Sequence, residues 1–312
     1  MTTRRDFLKY GGATAATAGM GATAGCTAVL GADTNAVKVS SQRFPEAILL
    51  SYMAIEALRA NTGLTVIDET SLGGDPMNFR AVKNDETDIC WIYTGTVWAL
   101  IPPKRDKIIS NPEKLYNKVD RTLKRQHGLS FLKPAPFNNT YALIAEPQWM
   151  EKTGVKTVSD FAKYVENNQM SSPVVLGISF SQRDDGWPGM IKHYGFEKAA
   201  SNLNIRTASS SLTYQIIAKT KAKVGMGFTT NPQLRQYDLE VLKDDKNFFP
   251  IYNPAPLAND IVEKHPVIRT VLNEIGPTLT YDKIVRLNKK VQIQKQDPQK
   301  VAREYLRSEG LL

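Results

Sequence analysis

The first third of the chain alternates short apolar runs with amphipathic segments. Residues 36–41 have the composition of a short buried strand, and apolar positions recur with helical spacing over 45–60, where a proline lies in the first turn. The pattern then predicts a strand at 64–70, a helix at 75–86 and a strand at 87–93. This β-α-β-α-β order is typical of a doubly wound parallel sheet.

The third of these strands is rich in aromatic residues. In the stretch ICWIYTGT, alternation with period two places Ile89, Trp91 and Tyr93 on one face of the strand. Ligands of doubly wound sheets bind at the carboxyl ends of the strands. The turn that follows Tyr93 is therefore a candidate part of a binding site, with Gly95 permitting the tight turn.

A second α/β unit is predicted over about 140–246. It contains a helix that either Thr157 or Ser159 caps. Its later strands are predicted at 174–180, 223–228 and 239–245. These elements are enough for a second sheet with helices between its strands.

Two proline-rich segments, 131–149 and 248–266, flank this second unit. They indicate that the chain crosses into a second lobe and later returns to the first, and a last helix is predicted from Pro298 to near Gly310. The predicted lobes are 36–138 plus 247–312 for lobe 1, and 139–246 for lobe 2.

The N-terminal segment, 1–26, is typical of a twin-arginine export signal. Arg4 and Arg5 precede Phe-Leu-Lys and a weakly apolar run rich in Ala, Gly and Thr. A disordered basic tail is the less favoured alternative. A membrane span is disfavoured because the run is too short and too polar to provide about 20 apolar residues.

The sequence TAGC, ending at Cys26, resembles a lipobox, in which the cysteine is lipidated and becomes the new N-terminus. Thr23 stands where a leucine is usual, and simple cleavage nearby is the alternative. A diacylglyceryl-type double chain holds a protein firmly on a membrane. We therefore expect a protein that is tethered to the outer face of the cell membrane.

Charge and composition exclude several classes of function. The formal net charge is +9, but the basic residues are scattered among acidic ones, so no nucleic-acid partner is predicted. Cys26 and Cys90 are the only cysteines, and the three histidines lack the spacing of metal ligands. We expect neither a disulfide framework, nor a metal site, nor a cofactor.

Enzyme signatures are missing from the chain. It has no G-x-S-x-G, P-loop, H-E-x-x-H or complete G-x-G-x-x-G motif. The adjacent acids Asp184 and Asp185 are interpreted as part of a solvated turn. An exported enzyme is therefore the least favoured function, although a fold alone does not exclude it.

Four aromatic residues are predicted near strand ends in both units: Tyr93, Tyr141, Phe228 and Tyr252. Each one alone is more typical of a core residue, but their shared placement favours a binding site. Aromatic faces bind quaternary ammonium groups, which have no N–H to donate, at about 0.5–2 kcal/mol per contact.

Several blocks of the sequence carry a family resemblance. The blocks are LGGDPMNFRAVKNDETDICWIYTGT, PAPFNNTYALIA, RDDGWPGMIKHYG and KDDKNFFPIYNPAP, together with the closing DPQKVAREYLRSEGLL. Over nearly all of 37–312 the chain resembles the substrate-binding proteins of ABC importers for glycine betaine, choline and related osmoprotectants.

The resemblance implies an α/β fold of the type II periplasmic-binding-protein class, in which two lobes joined by two crossing strands close over a ligand. It also implies an aromatic cage at Tyr93, Tyr141, Phe228 and Tyr252. Thr96 and Arg183 would hold the carboxylate or hydroxyl end of the ligand, and Asn139 would lie close to its cationic head.

Two departures from the family pattern concern the choice of ligand. Phe228 stands where the family usually has tyrosine, so a ring hydroxyl is missing. The usual Lys-x-Phe appears as Gln42-Arg43-Phe44. Either Arg43 substitutes for the lysine, or one cationic partner of a ligand carboxylate is lost, which would favour choline over betaine.

The resemblance thus implies a monomeric extracytoplasmic receptor that delivers its solute to a membrane permease and its ATPase and catalyses no reaction. The alternative within the same class is a receptor for another small cation or zwitterion, such as a polyamine or an amino acid. A polyamine pocket needs several carboxylates, and we expect few acids near the cage.

Overall fold

The computed structural model describes residues 35–105, 108–168 and 170–312. The strands are β1 (Ala36–Gln42), β2 (Thr65–Gly73), β3 (Ile89–Tyr93), β4 (Ser130–Phe131), β5 (Tyr141–Ala145), β6 (Val174–Gly177), β7 (Ile205–Ala208), β8 (Val224–Phe228), β9 (Glu240–Val241) and β10 (Pro254–Ala258).

The helices alternate with these strands over most of the chain. They are α1 (Pro45–Asn61), α2 (Asp75–Lys83), α3 (Thr94–Leu100), α4 (Pro112–His127), α5 (Pro147–Thr153), α6 (Val158–Asn167), α7 (Trp187–Tyr194), α8 (Glu197–Ala200), α9 (Ser210–Lys219), α10 (Gln233–Gln236), α11 (Ile261–Lys264), α12 (Pro266–Thr278), α13 (Tyr281–Gln292) and α14 (Pro298–Ser308).

The strands form two five-stranded sheets. The first sheet has the order β2-β1-β3-β10-β4, and the second has the order β7-β6-β8-β5-β9. In the first sheet β1 is parallel to β2 and β3, and in the second β6 is parallel to β7 and β8. The division of the chain into lobes at 138/139 and 246/247 stays a prediction.

Both sheets are mixed, whereas the sequence pattern predicts parallel sheets. β10 is antiparallel to β3 and β4, and β5 is antiparallel to β8 and β9. Each of these reversed strands is the first one that the chain forms after crossing from the other sheet. A strand that arrives from the opposite side enters the sheet with reversed direction.

β10 lies inside the first sheet although two of its five residues are prolines. Leu132 N–H donates to the carbonyl of Pro256 at 2.9 Å, and Ala135 N–H donates to that of Pro254 at 2.8 Å. The N–H that each proline lacks would point to the same side as its carbonyl. The ladder to β3 is therefore intact on the other side, which explains why prolines are accepted here.

Helices cover both faces of each sheet. One apolar cluster packs α1, α12, α13 and α14 against the first sheet, and another packs α2, α3 and α4 against its opposite face. Ile89 and Trp91 belong to the former cluster, and Cys90 and Ile92 to the latter, so the predicted alternation along β3 is confirmed. In the second sheet the two faces are covered by α5–α7 and by α9 with α10.

Local predictions differ from the structure mainly at element ends. Thr157, rather than Ser159, caps α6, in a capping box with Asp160. The strand predicted at 239–245 is only the two-residue β9. Over the described ranges, no helix is both long and apolar enough to cross a membrane.

Candidate ligand-binding site

A cavity of about 580 Å³ is lined by residues on elements of both sheets. The sequence predicts nine binding residues in 35–312, and most of them are found here. Those that line the cavity are Tyr93, Thr96, Asn139, Tyr141, Arg183, Phe228 and Tyr252. Gln42 and Arg43 are not among the lining residues.

Tyr141 and Phe228 form the wall on the side of the second sheet. They are direct partners in the β5–β8 ladder, and their ring centroids are 4.9 Å apart. Phe228 N–H donates to the hydroxyl oxygen of Tyr214 at 2.7 Å. The register of the two strands therefore places both rings side by side on this wall.

Tyr93 comes from the first sheet, at the last position of β3. Its hydroxyl donates to Glu46 Oε1 at 2.7 Å, and its ring centroid lies 5.9 Å from that of Phe44. Phe44 also lines the cavity and is 37% exposed. It is a fifth aromatic residue of the site that the sequence prediction did not include.

Tyr252 lies on the second crossing segment, just before β10. Its ring is nearly perpendicular to that of Tyr141, with 6.4 Å between the centroids and an interplanar angle of 83°. Its hydroxyl donates to Asp185 Oδ2 at 3.2 Å. The four predicted cage residues therefore meet at one cavity, from β3, β5, β8 and the crossing.

Gly95 has a different role from the one expected. The chain after Tyr93 continues as helix α3 rather than as a free turn. A Cβ on Gly95 would lie 2.8 Å from the carbonyl oxygen of Ile251 and 2.8 Å from the ring of Tyr252. A glycine is needed here because α3 passes so close to the crossing segment, not because of an unusual backbone conformation.

The three tyrosine hydroxyls at the cavity are protonated at neutral pH. Burial raises the pKa of Tyr93, of Tyr141 and of Tyr252 above the ordinary value, and the carboxylates around them act in the same direction. The phenols are therefore neutral, those of Tyr93 and Tyr252 donate hydrogen bonds, and the rings offer their π faces to a cation.

Arg183 is paired within the protein. Its guanidinium donates to both oxygens of Asp185, with Nε at 2.7 Å from Oδ1, and the hydrogen bonds raise the pKa of Arg183. The interpretation of Asp185 as a solvated turn residue is wrong, because the turn before α7 folds it back onto Arg183. Its neighbour Asp184 is exposed, as expected.

Two acidic residues that the sequence prediction missed also line the cavity, so the expectation of few acids is wrong. Glu46, on α1, is 2% exposed, and Asp75 is the first residue of α2. Burial raises the pKa of both carboxyls, against the hydrogen bonds that they accept. From the sequence alone, each acid is interpreted only as a residue of a first helical turn, where a negative charge complements the helix dipole.

Gln42 and Arg43 are held away from the cavity by other partners. Gln42 is buried, and its amide donates to Asp75 Oδ1 at 2.8 Å and to the carbonyl of Trp91 at 2.9 Å. The exposed Arg43 donates to the carbonyls of Ser71 and Leu72 on β2. Arg43 is thus not positioned as a substitute for the family's lysine.

The described residues contain no group of three or more His, Cys, Asp and Glu side chains that could hold a metal ion. Cys90 is free and fully buried, and burial raises the pKa of its thiol. Cys26, the predicted lipidation site, lies outside the described residues.

Solved structures and characterised proteins show what this chain resembles. A structure titled as a glycine betaine/carnitine/choline ABC transporter superposes with a TM-score of 0.76 at 26% identity, over 88% of this chain and 99% of that one. This likeness confirms the periplasmic-binding-protein fold that the resemblance implies.

Two relatives are similar along most of their length. A glycine-betaine-binding protein of Pseudomonas aeruginosa is 32% identical over 290 residues, which is 90% of each chain. A carnitine transport binding protein, OpuCC, of Listeria monocytogenes is 28% identical over 279 residues, which is 88% of this chain and 87% of that protein.

Family models match both parts of the chain. Residues 1–21 match the signal sequence of the twin-arginine translocation pathway, which confirms the predicted export signal. Residues 35–308 match the substrate-binding domain of the ABC-type glycine betaine transport system. The chain therefore belongs to the family of substrate-binding domains that serve ABC-type glycine betaine transport systems.

Proposed function

We propose that the protein binds a quaternary-ammonium solute in a cage made by Tyr93, Tyr141, Phe228 and Tyr252. The observation that carries this proposal is the meeting of four aromatic rings, from both sheets, at one cavity. A trimethylammonium group offers no hydrogen bond, so π faces and nearby negative charge are the available means of recognition.

The other end of the solute would meet the polar part of the lining. Thr96 offers a hydroxyl, and Arg183 offers a guanidinium that Asp185 already neutralises in large part. Asp75 adds a negative charge to the same lining. A ligand hydroxyl can donate to such a carboxylate, whereas a ligand carboxylate is repelled by it, so Asp75 favours choline over glycine betaine, against the positive charge that Lys295 adds to the same lining.

The solute is then delivered to a membrane permease driven by its ATPase, and the receptor acts as a monomer that leaves the solute chemically unchanged. The lobes that close over the solute are 36–138 with 247–312, and 139–246. Membership in a family of transport substrate-binding domains supports this role.

After export, the protein is held on the outer face of the membrane by a lipid on Cys26. The TAGC sequence supports this step. Replacing Cys26 by serine is expected to release the protein from washed membranes into the soluble fraction, because a double acyl chain provides most of the affinity for the membrane. Fractionation and mass spectrometry of the N-terminal peptide measure this. An unmodified Cys26 in membrane-bound wild-type protein would refute the anchor.

A second candidate is a receptor for a different small cation, such as a polyamine. The carboxylate of Asp75 in the lining favours it, since primary ammonium groups are recognised by acidic acceptors. Against it stand the four rings in the same lining, which present π faces rather than hydrogen-bond acceptors.

Calorimetric titration separates these candidates. The purified protein is titrated with glycine betaine, choline, carnitine, proline betaine, putrescine and spermidine. We expect saturable binding of choline that is tighter than the binding of the two polyamines. Binding of a polyamine alone would favour the second candidate, and no binding by folded protein would refute the proposed ligand class.

A further inference from the structure

Glu46 is the most completely enclosed acidic side chain of the cavity. It is the second residue of α1, it is 2% exposed, and it lies on the cavity wall. Within the described residues, no lysine or arginine forms an ion pair with it. A buried carboxylate without a basic partner is costly, so its hydrogen bonds are what allow it to remain there.

Four side chains donate to this carboxylate, two to each oxygen. Oε1 accepts from the hydroxyl of Tyr93 at 2.7 Å and from Nδ2 of Asn139 at 2.8 Å. Oε2 accepts from the hydroxyl of Thr230 at 2.8 Å and from Nδ2 of Asn288 at 2.6 Å. Tyr93, Thr230 and Asn288 are themselves buried.

These donors come from both sides of the cavity. Tyr93 ends β3 of the first sheet, whereas Thr230 follows β8 of the second sheet. Asn139 lies on the first crossing segment, just before β5. A single carboxylate on α1 therefore connects the first sheet, the crossing segment and the second sheet.

The donors are also next to the aromatic cage in sequence. Tyr93 is a cage residue, Asn139 lies two residues before Tyr141, and Thr230 lies two residues after Phe228. Tyr141 and Phe228 are fixed to each other by the β5–β8 register. Through Thr230 and Asn139, Glu46 thus sets the position of this pair relative to the ring of Tyr93.

We propose that Glu46 is a positioning residue that ties the two sides of the cavity together and sets the spacing of the cage. This proposal rests on the proposed function for its ligand, but the tie itself exists without ligand. Loss of the carboxylate loosens the contact between the two sides of the cavity, which weakens binding of a quaternary ammonium and speeds its release.

The chain offers a matched control on the same helix. Glu56 is 4% exposed on α1, and it accepts hydrogen bonds from Arg59, Gln299 and Arg303. It does not line the cavity, and its partners here are not on elements of the second sheet. Glu56→Leu removes a buried carboxylate without touching the proposed tie.

The experiment compares Glu46→Leu, Glu46→Gln, Thr230→Val and Glu56→Leu with the wild type in the full chain. Choline affinity is measured by calorimetry, its dissociation rate by stopped flow, and the radius of gyration by X-ray scattering with and without choline. Thr230, which itself lines the cavity, supplies the donor from the second-sheet side. Thr230→Val removes that hydroxyl, so its ligand-free radius of gyration tests the tie even where Glu46→Leu does not fold.

We expect Glu46→Leu to weaken choline binding by about 10- to 100-fold, as for the loss of one or two hydrogen bonds to a charged acceptor. We expect Glu46→Gln to lose less choline affinity than Glu46→Leu does. We expect Thr230→Val to weaken choline binding by about 3- to 10-fold, mainly through faster dissociation. Glu46→Leu and Thr230→Val should have a larger ligand-free radius of gyration than the wild type. Glu56→Leu should match the wild type in affinity and radius.

Wild-type affinity and radius of gyration in both Glu46→Leu and Thr230→Val would overturn the proposal. Failure of the proposed ligand class gives a distinguishable result, which is seen in the wild type itself. In that case the wild type binds no quaternary ammonium, while the ligand-free radius of the variants still reports whether the tie exists.

Discussion

Replacing Tyr141 by alanine is expected to weaken choline binding by about 1–3 kcal/mol, the range for the loss of a central aromatic contact with a desolvated cation. Tyr141 contacts two other cage rings, with centroids 4.9 Å from Phe228 and 6.4 Å from Tyr252. Its removal therefore opens the middle of the cage. Calorimetric titration of the variant measures the loss.

Tyr164→Ala is the matched control for this variant. Tyr164 is partly buried on α6, where it packs edge-on against Trp149 at 5.3 Å, and it does not line the cavity. Both variants lose a tyrosine ring from the side of the second sheet, so both lower the unfolding temperature. Only Tyr141→Ala should lower affinity, and an equal loss in Tyr164→Ala would mean that the effect is structural.

Asp75→Asn is expected to reverse part of the preference for choline over glycine betaine. The change removes a negative charge from the lining near Arg183 while the amide oxygen still accepts from Gln42. At a separation of about 6 Å and an effective dielectric constant of about 20, the Coulomb energy of a pair of unit charges is about 3 kcal/mol. We expect the ratio of the two affinities to shift by about 1–3 kcal/mol towards betaine.

The pH dependence of choline binding provides a second readout for Asp75. Burial raises the pKa of this carboxyl, so as the pH falls Asp75 becomes neutral before an ordinary aspartate does. As the pH falls, choline binding by the wild type should therefore begin to weaken at a higher pH than it would with an ordinary aspartate. The pH dependence of choline affinity should be less steep in Asp75→Asn. The exposed Asp184→Asn is the control, and identical profiles for all three proteins would contradict the role of Asp75.

Much of the fold follows from local patterns, because each element carries its own signal. The span 45–60 has helical periodicity from its proline onwards, and the structure has α1 at Pro45–Asn61. The direction of β10 could not be read in this way. PAPLA has the composition of a loop, and its place between β3 and β4 depends on partners more than 100 residues away in the sequence.

The cage residues could be predicted as candidate site residues from the sequence, whereas the two acidic residues could not. The four cage aromatics stand at strand ends or beside turn signals, so their placement indicates a binding site, whereas their assignment to one cage came from the family resemblance. Tyr141 at the start of β5 meets Phe228 at the end of β8 because the two strands are antiparallel, which the local pattern does not predict. Glu46 and Asp75 stand in first helical turns, where an acid is ordinary. Only the packing of α1 and α2 at the cavity, which no local pattern encodes, turns these two carboxylates into parts of the site.

The central claim is that aromatic faces and buried carboxylates recognise positive charge rather than shape. Choline and its uncharged carbon analogue, 3,3-dimethylbutan-1-ol, have nearly the same size and the same hydroxyl. Calorimetric titration of the wild-type protein with both compounds tests the claim directly. We predict saturable binding of choline and at least about 100-fold weaker binding of the analogue, as for the loss of several cation–π contacts. Equal affinities would show that the cavity selects an apolar shape, and the cation cage would be refuted.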